Sequence, residues 1–126
     1  TSVTRKPVQD SIVASFSNGD APLRIVICTI AFGMGIDCVG VCQVVHWGPP
    51  TDVESYIQEC GRAGRNCQPA NALLFWKSGD LKSHNICKDM KGYCCNQVMC
   101  RRELLMSYFD CTVVSIAGCN CCDICA

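Results

Sequence analysis

Two short runs constrain the fold of this chain more than anything else in it. Residues 23–29 read LRIVICT and residues 41–47 read VCQVVHW, both rich in β-branched side chains and almost continuously apolar. A strand without polar alternation is one covered on both faces, as in a parallel sheet packed between helices. The first run ends in a glycine-containing loop, AFGMGID at 31–37, and the second is stopped by Gly48-Pro49-Pro50. Thr51 is then placed as an N-cap, and Glu54 three residues later completes a capping box for a helix reaching about Gly61. Val53, Tyr56, Ile57 and Cys60 form its inward stripe. Residues 71–76 (NALLFW) supply a third strand. Ahead of all this, residues 7–16 repeat Val8, Ile12 and Phe16 at intervals of four, as a short helix does, before a turn at 17–22. The alternation of strand and helix predicts an open α/β sheet. Ligands of such sheets sit beyond the carboxyl ends of the strands, here the loop at 30–37. The strands are too few for a whole domain, and Thr1 opens in mid-pattern, so an N-terminal part is expected outside these residues.

The chain has 126 residues, room for one compact domain or a domain with an appendage. Eleven basic residues balance eleven acidic ones. Any attraction to nucleic acid must therefore come from locally placed arginines and lysines. No apolar run reaches the eighteen residues of a membrane span, and the polar TSVTRKPVQD opening lacks a signal-peptide core.

Fourteen cysteines are a metal or a disulfide signal, and their distribution decides between the two. Nine fall after residue 77, where the apolar pattern turns helical. A boundary near 77–80 divides residues 1–77 from 78–126. At the end stands CNCCDIC, with Cys119, Cys121, Cys122 and Cys125. Cys119 with Cys122, and Cys122 with Cys125, each have the C-x₂-C spacing that lets neighbours chelate one ion. The fourth thiolate of a tetrahedral zinc site must come from a distance. Cys94, Cys95, Cys100 and Cys111 are candidates, and Cys121 rivals Cys122 locally. Cys28, Cys38, Cys42, Cys60, Cys67 and Cys87 show no metal spacing and read as small buried hydrophobes or free thiols.

TIAFGMGID (29–37) followed by VVHWGPPTDVESYIQECGRAGRN (44–66) resembles motifs V and VI of RecQ-family DNA helicases. CRRELLMSYF (100–109) with CNCCDIC resembles that family's zinc-binding subdomain. The resemblance implies the second half of the second RecA-like lobe, a partial P-loop NTPase-type parallel sheet, followed by a small, mainly helical zinc-binding subdomain. It implies Cys100, Cys119, Cys122 and Cys125 as the zinc ligands, with Leu104, Leu105, Tyr108 and Phe109 packing the subdomain around the metal. The C-D-x-C ending favours Cys122 over Cys121.

The same resemblance gives the paired arginines of GRAGR a role. A phosphoryl-transfer transition state spreads negative charge over the γ-phosphate oxygens, which a guanidinium from a neighbouring lobe stabilises. Arg65 is implied as the arginine finger and Arg62 as a second phosphate or coupling contact. The two face one side if the segment stays near-helical. Gly61 and Gly64 would let an opposing lobe approach closely. Gln58, one turn earlier, is implied at the nucleotide or lobe interface. In the 29–37 loop, Gly33 and Gly35 permit a tight turn with exposed amides. The family analogy assigns this loop, Phe32 included, to coupling ATP with DNA, placing Thr29 at a DNA phosphate and Gly35 and Asp37 at the nucleotide. Asp37 departs from relatives that carry Asn there. Trp47 has two readings, core packing and base stacking, of which packing is the commoner for such a residue. His46 receives no catalytic role. Arg101 and Arg102 suit DNA phosphates, a bridge to the helicase lobe, or plain solvated charge.

The implied whole protein is an ATP-dependent 3′–5′ DNA helicase acting at single-strand/duplex junctions in repair or recombination. It would use ATP and Mg²⁺ shared with the first lobe, and be nuclear in a eukaryote and otherwise cytoplasmic. No G-x-x-x-x-G-K-Ser/Thr loop and no acidic metal box occur here, so these residues alone are expected to be inactive. The alternative is a non-catalytic, zinc-dependent binding module from a degenerate or truncated helicase gene.

Overall fold

The computed structural model describes residues 4–29, 40–65, 68–111 and 121–126. Among them, helix α1 (Lys6–Ser17) opens the chain, strand β1 (Gln43–Trp47) leads into α2 (Val53–Cys60), and β2 (Asn71–Phe75) follows. A 3₁₀ turn (Asp80–Lys82) then precedes α3 (Lys88–Cys95) and α4 (Arg101–Ser107). No helix among the described residues is long and apolar enough to cross a membrane.

β1 and β2 pair as a two-stranded sheet. Asn71 N–H donates to Cys42 O at their starts (2.9 Å) and Gly48 N–H to Phe75 O at their ends (2.8 Å). Equal order along both strands makes the pair parallel, as expected for βαβ. Residues 23–29 correct the sequence reading: they form no strand, and Ile25 and Ile27 are exposed, Ile27 by 95%. An apolar run becomes a parallel strand only with a neighbour to pair with and helices to cover it. The only ladder among the described residues joins β1 to β2.

β1 is covered on one face rather than two. Side chains alternate along a strand, so with His46 turned inward Trp47 points outward, 90% exposed. Its one ring neighbour among the described contacts is Phe75, at 6.0 Å. The core-packing reading of Trp47 is therefore overturned.

Helix α2 is capped by Asp52 rather than Thr51. Asp52 Oδ1 accepts the Ser55 N–H at 2.7 Å, and Thr51 Oγ1 donates to Asp52 Oδ2 at 2.8 Å. These two bonds, the Ser55 N–H first, hold the Asp52 carboxyl below its ordinary value. Of the expected stripe, Val53 and Tyr56 are buried, whereas Ile57 and Cys60 are half-buried. α1 starts with Pro7 in its first turn, where a missing N–H costs nothing.

The chain forms two compact units, each from two stretches: Thr1–Val45 with Gln58–Leu73, and His46–Ile57 with Leu74–Ala126. The second holds every buried apolar side chain described: Pro50, Val53, Tyr56, Ile86, Met90, Tyr93 and Cys94, with His46 among them. Met90 is wholly enclosed. Cys87 N–H donates to Thr51 O (2.8 Å), fastening the start of α3 to the turn before α2. The Cys87 thiol caps α3 by accepting from Met90 N–H (3.4 Å).

Candidate metal centre and the GRAGR turn

Two short pieces of chain build the thiol cluster. Cys100 stands at the N-cap of α4, and residues 121–126 form a turn closed by Cys125 N–H and Ala126 N–H donating to Cys122 O, both at 3.1 Å. Together they bring the sulfurs of Cys100, Cys121, Cys122 and Cys125 within 4.8 Å of one another. Cys100 and Cys121 Sγ lie 3.4 Å apart, and so do Cys122 and Cys125 Sγ. Four thiolates at about 2.3 Å around a tetrahedral ion stand about 3.8 Å apart, so the cluster is of the right size and donor chemistry for zinc.

Its protonation suits the same use. Burial works against a Cys122 thiolate, but N–H groups of Arg101, Ile124 and Cys125 and the Cys125 thiol outweigh it and bring Cys122 down to about 6. Arg101 N–H reaches the Cys122 sulfur at 3.5 Å. Cys125, donating its proton to Cys122 and lying beside Cys100, is pushed up to about 12. Cys100 is lowered, mainly by the Glu103 backbone N–H. The thiols thus share protons that a dication would displace.

Three of the four expected ligands, Cys100, Cys122 and Cys125, meet in this cluster. Cys119 lies outside the described residues. Cys121 joins Cys122 instead of displacing it. The rivals of Cys100 are elsewhere: Cys94 is buried among apolar side chains, which drives its thiol up to about 11, and Cys95 and Cys111 are exposed. Cys28 and Cys42 are exposed free thiols, the second of the two readings given them, rather than buried hydrophobes. Every cysteine among the described residues is free of disulfides.

Sequence reasoning missed the group that joins the ligand turn to α3. Arg101 forks onto Asp123, Nε to Oδ1 at 2.5 Å and Nη2 to Oδ2 at 2.8 Å, and its Nη1 donates to Tyr93 O at 3.0 Å. None of the three readings of Arg101 included this internal clamp. An arginine next to one ligand and an aspartate between two others was the available signal. Arg102 is exposed. α4 packs on α3, and Tyr108 Oη donates to Asp89 O at 3.1 Å. Leu104, Leu105 and Tyr108 are half-buried, but Phe109 is exposed, so the apolar face is only partly covered.

The arginine pair sits in the other unit. α2 ends at Cys60, and Arg62 N–H and Ala63 N–H close a turn onto Glu59 O (3.3 Å) and Cys60 O (3.1 Å). Gly64 is left-handed, with φ +73°. The near-helical condition for Arg62 and Arg65 to share a face is not met. Gly64 answers a constraint within the chain: a Cβ there would stand 3.1 Å from Gln68 O and 3.2 Å from Ala70 Cβ. Its N–H donates to Val41 O at 3.0 Å, tying the turn to the approach of β1. Arg65 is exposed, with its Nε 3.5 Å from Gly61 O, while Arg62 is half-buried and Gln58 exposed. Thr29 is exposed. Phe32, Gly33, Gly35 and Asp37 lie outside the described residues.

Residues 2–67 match the helicase conserved C-terminal domain. Over 120 residues the chain is 34% identical to the ATP-dependent DNA helicase Q-like SIM of Arabidopsis thaliana, covering 84% of this chain and 14% of that protein. The ATP-dependent DNA helicase RecQ of Haemophilus influenzae is 36% identical over 121 residues, 82% of this chain and 19% of its own length. The RecQ-like DNA helicase BLM of Xenopus laevis is 40% identical over 105 residues, 68% and 8% respectively. The chain thus spans less than a fifth of the length of these relatives. It contains a helicase C-terminal domain, a RecA-like lobe with a small parallel sheet and four helices among the described residues. It belongs to the RecQ family of helicases.

Proposed function

We propose that this chain is the second-lobe and zinc-binding part of an ATP-dependent DNA helicase of RecQ type. The whole protein would unwind DNA 3′ to 5′ at single-strand/duplex junctions in repair or recombination, in the nucleus if eukaryotic. Residues 1–77 contribute the lobe and 78–126 a mainly helical zinc subdomain. The observation carrying the reading is one sequence order: a helicase C-terminal match over 2–67, then a four-thiol cluster of zinc dimensions.

In this reading Arg65 is the arginine finger and Arg62 its neighbour at the γ-phosphate. Gln58, Gly35 and Asp37 face the nucleotide, and Thr29, Phe32 and Gly33 face DNA. Exposure of Arg65 and Gln58 supports it, since a group that completes a site on another lobe must be reachable. ATP and Mg²⁺ would be held chiefly by the first lobe, so residues 1–126 alone neither hydrolyse ATP nor unwind DNA. Zinc, when bound, supplies a structural crosslink and no chemistry. Cys100, Cys122 and Cys125 would hold it with a fourth thiolate, Cys119 by its C-x₂-C spacing or Cys121 by proximity. Bound zinc in the Cys119→Ser and Cys121→Ser variants decides which.

The arginine assignment is tested in the full-length protein. Arg65→Ala should lower DNA-stimulated ATPase by roughly 10³–10⁵ while nucleotide binding persists. Weakened binding with turnover preserved would show that Arg65 is a binding group and no finger.

A further inference from the structure

The second unit contains a continuous line of contacts from the thiol cluster to α2. Arg101 N–H touches the Cys122 sulfur, and its side chain grips Asp123, which lies between Cys122 and Cys125. The same guanidinium reaches Tyr93 twice: Nη1 donates to its carbonyl, and the guanidinium carbon lies 5.4 Å from the ring centroid. The Tyr93 ring stands 5.3 Å from Tyr56, tilted 48°, and Tyr56 stands 5.0 Å from His46. Both tyrosines are 4% exposed, so their ring contact is packed in the interior, while Arg101 is half-buried and Asp123 exposed. Tyr56 belongs to α2, the helix that bears Gln58 half a turn later.

We propose that Arg101 and Tyr93 are positioning residues through which the metal centre holds α2 in place. The proposal rests on the reading of the cluster as a metal site. Asp123 is fixed because ligands lie on both sides of it, and a fixed Asp123 fixes the guanidinium. All three nitrogen positions of Arg101 are then engaged, two on the carboxylate and one on the Tyr93 carbonyl. A lysine has the charge but not the planar fork, and cannot hold both partners at once. When the ligand turn opens, the guanidinium loses its anchor, the Tyr93 ring loses its cation, and Tyr56 loses a wall of its pocket. The first turn of α2 loosens as a result.

The test is amide hydrogen exchange on the full-length protein, with bound zinc measured in parallel. Chelation should raise exchange of residues 53–57 by roughly tenfold, while α1, in the other unit, stays unchanged as an internal reference. Arg101→Lys should keep its zinc and still show most of that rise. Tyr93→Leu, which removes the ring but not the carbonyl, should also keep zinc, with residues 53–57 insensitive to chelation. Retained zinc with unchanged exchange at 53–57 in both variants would overturn the proposal. So would a uniform rise that includes α1, which a general loss of stability produces, or loss of zinc from Arg101→Lys, which would make Arg101 a support of the cluster. Absence of zinc from the unmodified protein would instead overturn the metal-centre reading itself.

Discussion

The two compact units differ in how they are held. The unit of Thr1–Val45 and Gln58–Leu73 has no buried side chain among its described residues, and Ile25, Ile27, Val8, Val45 and Leu73 stand in the open. The unit of His46–Ile57 and Leu74–Ala126 encloses Met90, sets the Tyr93 ring against Tyr56 at a tilt, and gathers four thiols. The difference separates two ways of making a small body stable. Side chains whose partners lie within the same unit complete their own core. A parallel-sheet segment does not, because its apolar faces are defined by neighbours that other stretches supply. In the proposed full-length helicase those neighbours are the rest of the lobe.

Substitutions sharpen the contrast. Met90→Ala should destabilise the second unit by about 2–5 kcal/mol, since it removes most of a fully enclosed side chain and leaves a cavity. A thermal or denaturant midpoint indistinguishable from the unmodified protein would mean the core is not centred on α3. Asp52→Ala should cost about 1 kcal/mol through loss of the cap on α2. That contribution has a pH signature. Because the folded carboxyl is lowered, its stabilisation is present above the ordinary carboxyl range and disappears as pH falls through the folded value. Stability curves of Asp52→Ala and the unmodified protein should converge at low pH, and a constant offset would exclude the cap. Ile27→Ala should change stability by less than about 0.5 kcal/mol, because a side chain exposed by 95% has little burial to lose. A larger loss would show that residues 23–29 are covered after all.

What the sequence disclosed follows the range of the forces involved. Cys122 and Cys125 were legible as members of the cluster because C-x₂-C spacing is local, and α2, β1 and β2 because hydrophobic period and turn residues are local. The cap was misplaced by one residue because Thr51 and Asp52 are adjacent and both suit the position. Gly64 reads from the sequence as room for an opposing lobe, whereas its left-handed backbone and the closeness of Gln68 and Ala70 to where a Cβ would stand are constraints within its own turn. The Arg101–Asp123 clamp joins residues 22 apart, and the Tyr56–Tyr93 ring contact joins residues farther apart still. Neither distance has a period to read. Residues 23–29 failed for the opposite reason: their local signal is strong, but a strand belongs to its sheet.

The central claim is that the second unit is organised around a zinc ion held by cysteine thiolates at its end. Metal analysis of the purified protein, before and after chelation and with circular dichroism on both, tests it most directly. The account predicts one zinc per chain, lost on chelation together with a partial loss of ordered structure confined to the second unit. It also predicts that the Cys100→Ser variant binds less than stoichiometric zinc. A metal-free protein, or one whose fold is unaltered after its zinc is removed, would contradict it.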